Sequence, residues 1–340
     1  MKGLVKYGTG KEGMEIRQLP IPDPPESYMR VKVIAAGICG SDVHTMNDEL
    51  PVKMPVVIGH EFVGVVDAPG KGVTHFKEGD YITSYRPYSS CGSCPCCREG
   101  ADIFCRDAEL LGKDVNGCMA EYVIVPEKHA FRIPDGIENK KSIAALEPFG
   151  CGLRAAAERT TILPGDLVVI IGPGMLGLSI LQIAKLRGAY TIVFGLEKDG
   201  HRLALAKELG ADDVETCSES LKRKVFLKNR FGADICFEAT GVASSLNTCF
   251  DLVKRRGTIT QLGLFNGFPE VNLNAMTDSE INLVSSRGCQ KTTFELGLKL
   301  LEDNKIDLNC FIGSGYALDD WKDAFETAAA GKALKVILVP

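Results

Sequence analysis

The chain has 340 residues, 45% of them hydrophobic and 24% charged, the make-up of an ordinary folded protein with room for more than one core. Its formal net charge of −5 excludes the basic character that nucleic acid or an anionic membrane surface would call for. Met1-Lys-Gly-Leu-Val-Lys6 leads into no long apolar stretch, and the longest apolar run, Leu167 to Ile171, is too short to span a bilayer, so a cytoplasmic protein with no membrane partner is expected.

The first 150 residues read mainly as strands. Met29-Arg-Val-Lys-Val-Ile34 alternates apolar and polar residues, as a half-buried strand does. Glu121-Tyr-Val-Ile-Val-Pro126 and His129-Ala-Phe-Arg-Ile-Pro134 read as neighbouring strands closed by Pro-Asp-Gly. Among them lie Gly37-Ile-Cys39-Gly-Ser41-Asp42-Val-His44 and Gly59-His60-Glu61. A catalytic zinc needs thiolate, imidazole or carboxylate ligands and one open position. Cys39 and His60 supply the first two; Glu61 and Glu147 compete to complete the set, and Cys151 is a third option.

Next comes Cys91-Gly-Ser-Cys94-Pro-Cys96-Cys97, with Cys105 beyond it. Thirteen cysteines cannot all pair within one chain, and a cytoplasmic protein keeps its thiols reduced. Cys91, Cys94, Cys97 and Cys105 follow C-x2-C-x2-C-x7-C, spacing that lets a short loop wrap one tetrahedral zinc and leaves Cys96 over. Such a closed site organises a loop and does no chemistry.

Past Glu147 the character changes. Leu153-Arg-Ala-Ala-Ala-Glu-Arg159 reads as helix, and Leu167 to Ile171 as a buried strand. Gly172-Pro-Gly174-Met175-Leu176-Gly177 then opens a helix that stops at Gly188, before a strand at Tyr190. This is a βαβ unit, continued by strands near Ile235 and Ile259. Gly172 permits the tight turn, Gly174 lets backbone approach a pyrophosphate, Gly177 lets helix and strand pack, and the helix start at Met175 and Leu176 attracts the phosphates. Glu197 stands where an acid binds the adenosine ribose of NAD; Lys198, His201 and Arg202 offer contacts to a 2′-phosphate instead, so NADP stays open. Helices follow at 292–301 and 319–329, then a strand at 334–339. Trp321 is expected in helix packing, His75 and His129 at the surface or in turns, and Cys217, Cys236, Cys249 and Cys310 as buried small hydrophobes.

Taken in order, Cys39-Gly-Ser-Asp, Gly59-His-Glu, the four-cysteine lobe and the glycine fingerprint resemble the zinc-dependent medium-chain alcohol dehydrogenases over essentially the whole chain. Cys39-Gly-Ser-Asp-Val-His44 and Glu147-Pro resemble the sorbitol/polyol and L-threonine dehydrogenase branch; Phe149-Gly-Cys151-Gly departs from the Leu-Ser-Val usual in polyol enzymes. The resemblance implies an α/β fold: a GroES-like β-rich catalytic domain from 1–150 and 286–340, with the cysteine lobe at 91–105, and a Rossmann doubly wound parallel sheet at 151–285. It implies catalytic zinc on Cys39, His60 and Glu61 or Glu147, structural zinc on Cys91, Cys94, Cys97 and Cys105, and hence two zinc ions per chain. Ser41 and His44 match a proton relay, and Arg287 falls where polyol enzymes carry an arginine for substrate hydroxyls. The expected reaction is NAD-linked interconversion of a secondary alcohol, a polyol or sugar-derived one, and its ketone, in a homodimer or homotetramer. The alternatives are an L-threonine-type amino alcohol, or NADP as cofactor. A zinc-ribbon module for nucleic acid would need a basic surface, against the acidic balance here.

Overall fold

The structure, a computed structural model, describes residues 1–340. The chain divides into one unit of Met1–Pro148 with Cys289–Pro340 and a second of Phe149–Gly288, against expected boundaries at 150 and 285. No helix is long and apolar enough to cross a membrane.

The first unit is built on a sheet whose hydrogen-bonded order is Ala130–Arg132, Tyr81–Ser84, Glu61–Pro69, Tyr28–Gly37, Lys335–Val339, Ile312–Ala317, with Tyr122–Pro126 also paired to Tyr28–Gly37. The alternation at Met29 behaves as expected: Met29, Val31 and Val33 join Phe62, Ile82, Val123, Trp321 and Phe325 in one core. Tyr122–Pro126 and Ala130–Arg132 share this sheet but are not neighbours. A 3-10 turn at Glu127–His129 carries the chain away, and Ala130–Arg132 pairs with Tyr81–Ser84 at the far edge. His129 lies in that turn, as expected, and is buried. Its Nδ1 donates to the carbonyl of Pro87 at 2.6 Å and its Nε2 lies 2.9 Å from an Asp102 carboxylate oxygen.

The second unit holds six parallel strands in the order Asp213–Glu215, Tyr190–Phe194, Leu167–Ile171, Ala233–Glu238, Val253–Gln261, Asn282–Ser285. In chain order this is 3-2-1-4-5-6, which places ligands outside the carboxyl ends of the first strands. Leu167–Ile171 is buried at every position because helices cover both faces of a parallel sheet. Cys236 and Cys249 are buried in this core, whereas Cys217 is exposed and Cys310 only half-buried. The helix expected around Leu153 begins earlier and spans Leu146–Ala157. Pro148 does not stop it, because a proline in the first helical turn removes an N–H that has no partner there anyway.

Candidate active site

Two sheet strands and one short helix bring the zinc candidates of the first unit together. Tyr28–Gly37 delivers Cys39, which caps the helix Gly40–Met46; Glu61 opens the adjacent strand, with His60 just before it. One ligand atom from each of Cys39, His60 and Glu61 lies within 4.8 Å of the others. His60 and Glu61 are 2% and 0% exposed, and Cys39 is half-buried beside them.

Asp42 organises two of them. One carboxylate oxygen accepts the backbone N–H of Cys39 at 2.9 Å, and the other lies 3.7 Å from Nδ1 of His60. Burial pushes the Asp42 carboxyl up to about 7. Burial, then the charges of Arg86 and Lys335, hold the His60 ring well below its ordinary value, which keeps it in the neutral form that ligates metals. Burial and the Glu61 carboxylate push the Cys39 thiol up, so a bound cation is needed to displace its proton at neutral pH.

Lys335 completes this cluster. Its ammonium is 2.5 Å from Glu61 Oε2 and 3.0 Å from the carbonyl of Ile38, and it is buried. Burial works against its charge, but Glu61 and Cys39 hold it above its ordinary value. The other Glu61 oxygen, Oε1, is buried with no hydrogen-bond partner. A thiol, a neutral imidazole and a carboxylate with one unsatisfied buried oxygen fit a zinc ion. Glu147 is also buried, in the helix Leu146–Ala157, and accepts from Cys289 Sγ at 3.7 Å. Burial first, then Glu61, push it up to about 7. Glu61 thus converges with Cys39 and His60, while Glu147 stands near enough to feel their charge. Cys151 lies one turn beyond Glu147 on the same helix.

Ser41 and His44 sit one turn apart on Gly40–Met46. Ser41 Oγ is buried with no partner, and His44 is exposed, its Nδ1 on the carboxylate of Glu49. Because a carboxylate only accepts, Nδ1 carries a proton in this contact.

The cysteine lobe closes on itself. The sulfurs of Cys91, Cys94, Cys97 and Cys105 lie within 4.8 Å of one another, and Cys96 is outside the set. Backbone N–H groups aim at them: Cys94 N to Cys91 Sγ at 3.3 Å, Cys97 N to Cys94 Sγ at 3.4 Å, Cys91 N to Cys105 Sγ at 3.5 Å. Backbone donors from Ser93 and Cys94 pull the Cys91 thiol down to about 6, toward the thiolate that zinc requires. Asp102, just before Cys105, accepts from the buried Tyr85 hydroxyl and faces His129, which pins the lobe to the unit's core.

In the second unit Gly172 has φ +105°, and a Cβ at Gly177 would stand 1.9 Å from the Gly172 carbonyl oxygen, so neither position takes a side chain. Gly174 has open space where a Cβ would be, and no side chain caps the helix Met175–Leu186 that it precedes. An open, uncapped helix start, flanked by Met175 and Leu176, fits a dinucleotide pyrophosphate. Glu197 is exposed in the 3-10 turn Glu197–Asp199 that follows strand Tyr190–Phe194, and Arg202 faces Asp199 at 3.4 Å. Arg287 is exposed, with its carbonyl accepting from Arg154; it belongs to the second unit, whereas Cys39, His60 and Glu61 belong to the first. The sequence reading missed Lys335 and gave Asp42 no role. Asp42 lies three residues from Cys39 in Cys39-Gly-Ser-Asp42, the one signal that could have found it.

Residues 25–135 match the family model described as alcohol dehydrogenase GroES-like domain, and residues 176–303 the one described as zinc-binding dehydrogenase. A sorbitol dehydrogenase of Halalkalibacterium halodurans is 36% identical over 100% of this chain and 99% of its own. A D-arabitol-phosphate dehydrogenase of Enterococcus avium is 34% identical over 99% of this chain and 97% of its own. The crystal structure of a zinc-binding dehydrogenase from Sinorhizobium meliloti 1021 bound to NADP superposes with a TM-score of 0.90 at 31% identity, covering 100% of this chain and 99% of the other.

Proposed function

The chain belongs to the zinc-dependent medium-chain alcohol dehydrogenases, oxidoreductases that use a nicotinamide cofactor, and we propose that it interconverts a polyol and its ketone with NAD. The observation that carries this reading is the convergence of Cys39, His60 and Glu61 in a buried cluster beside an unpartnered Ser41 hydroxyl. When bound, zinc supplies Lewis-acid polarisation of the carbinol oxygen and the nicotinamide supplies the hydride acceptor. Cys39, His60 and Glu61 hold that zinc, with Glu147 as the alternate carboxylate, and Cys91, Cys94, Cys97 and Cys105 hold a second ion per chain. Asp42 fixes the orientation of His60, and Lys335 offsets the charge of Glu61. Ser41 accepts the alcohol proton, and His44 releases it to solvent through Nε2. The glycine turn at Gly172, Gly174 and Gly177 holds the pyrophosphate.

The polyol assignment draws on the sorbitol and arabitol-phosphate relatives and on a cluster rich in buried carboxylates. A site built to hydrogen-bond several hydroxyls rejects analogues that lack them by large factors, because its own polar groups are left unpaired. The test is kcat/KM for a pentitol or hexitol against 2-butanol, with preference for the polyol expected. Equal or better turnover of 2-butanol ends the polyol reading.

Glu197 selects NAD by accepting hydrogen bonds from the adenosine ribose. Glu197→Ala should raise KM for NAD by about 10- to 100-fold, the worth of charge-assisted hydrogen bonds, and narrow the gap with NADP. A wild-type enzyme that already prefers NADP would reverse the assignment, making Lys198 and Arg202 the residues to change.

A further inference from the structure

Arg86 has figured so far only as a charge felt at His60. It joins the strands Tyr81–Ser84 and Pro87–Ser89, and its carbonyl accepts the N–H of Leu111 at 3.1 Å. Gly112, next along, lies against Gly59: a Cβ on Gly112 would come within 2.6 Å of the Gly59 carbonyl oxygen. Gly59 directly precedes His60. The backbone of Arg86 is therefore linked through Leu111, Gly112 and Gly59 to a candidate zinc ligand. Its charge is felt at Asp42, His60 and Glu147.

The guanidinium itself is unused. Arg86 is half-buried, its Nε is sealed from solvent, and it donates no hydrogen bond and joins no ion pair within the protein. Leaving a buried charged donor unmatched is costly, and proteins normally answer with a carboxylate. The carboxylates in reach of its field are committed elsewhere: Asp42 to the Cys39 N–H and His60, Glu147 to Cys289. Glu61, beside His60, gives one oxygen to Lys335, and its other is the one the zinc reading uses. Arginine, unlike lysine, offers a rigid fork that matches the two oxygens of a carboxylate or phosphate.

We propose that Arg86 is a substrate-binding residue that recognises an anionic group, a phosphate monoester or a carboxylate, carried by the polyol away from the carbinol being oxidised. This rests on the polyol dehydrogenase reading and narrows its substrate class to sugar-alcohol phosphates or polyhydroxy acids.

The test uses the zinc-loaded enzyme with NAD and three matched substrates: a pentitol, its terminal phosphate and the corresponding aldonate. Wild type should prefer one of the anionic pair, and which one identifies the anion. Arg86→Gln should lower that anion-to-neutral ratio of kcat/KM by about 30- to 100-fold, with Arg86→Lys recovering part of it. The proposal is overturned if wild type handles the plain pentitol as well as both anions, or if Arg86→Gln lowers all three in proportion; the first result leaves the polyol reading intact. A second measurement needs no alcohol. With saturating NADH covering the glycine turn, inorganic phosphate should bind wild type and not Arg86→Gln, in titrations where both proteins keep the same zinc content and circular dichroism. Absence of phosphate and acetate binding to wild type overturns the proposal even if no alcohol turns over, in which case the dehydrogenase substrate reading fails separately.

Discussion

Cys39→Ser is expected to lower kcat/KM by about a thousand-fold or more, the several kcal/mol of transition-state stabilisation that a Lewis acid provides, while leaving the protein folded with one zinc ion. The chain keeps its fold because the Cys39 side chain contributes no core packing; the helix behind it is tied by Asp42 to the Cys39 backbone N–H, which serine retains. Cys94→Ser should do the reverse. Its sulfur belongs to the closed four-sulfur set, and a serine, though able to accept the same Cys97 N–H, supplies no thiolate, so the substitution frees the lobe. Metal binding and folding are coupled at such a site, and the thermal midpoint should fall more than the turnover of the molecules still folded. Elemental analysis decides the matter: about two zinc ions in wild type and one in each variant. A wild-type value below about 1.5, allowing for partial loss on purification, counts against two sites.

Lys335→Met should be the most destabilising single change away from the cysteines. It removes the ammonium that lies 2.5 Å from Glu61 Oε2 and strands a carboxylate that is 0% exposed. Breaking a buried pair from one side costs roughly 3–5 kcal/mol, whereas replacing both partners is often near neutral. The double variant Lys335→Met/Glu61→Gln should therefore recover much of the loss in urea unfolding. The change also reaches the metal. Burial and Glu61 raise the Cys39 thiol, and Lys335 is the cation that counters them. Without it the thiol rises further, less thiolate is available at a given pH, and zinc retention should shift to higher pH. If Lys335→Met unfolds at the wild-type urea concentration and holds zinc over the same pH range, the pair is not what stabilises this cluster.

How far the sequence could be read follows from where each signal lies. The glycine turn and the cysteine lobe are local: their spacing within a few residues states their geometry, and a Cβ at Gly177 shows why the spacing is strict. The Rossmann strand order follows from short βαβ connections. Lys335 was illegible because its partner is 274 residues away. It also opens a strand that is almost wholly buried, where a lysine looks like an edge position. Arg86 belongs to no pattern, being a bend between two short strands. His129 lies in a turn, as expected, but its burial was illegible, because only the fold brings the Pro87 carbonyl to Nδ1 and Asp102 to Nε2. The start of the helix at Leu146 was hidden by Pro148, which reads as a break until its place in the first turn is known.

The discontinuous first unit has a consequence for synthesis. Tyr28–Gly37, which leads to Cys39, pairs with Lys335–Val339, and that strand carries the counter-charge of Glu61. On the ribosome this sheet stays incomplete until residue 339 has emerged, while residues 149–288 form a continuous stretch that can fold beforehand. For most of translation the nascent chain carries Glu61 without the lysine that neutralises it. The centre on which catalysis is proposed to depend is thus completed late, after the continuous stretch 149–288 has left the ribosome.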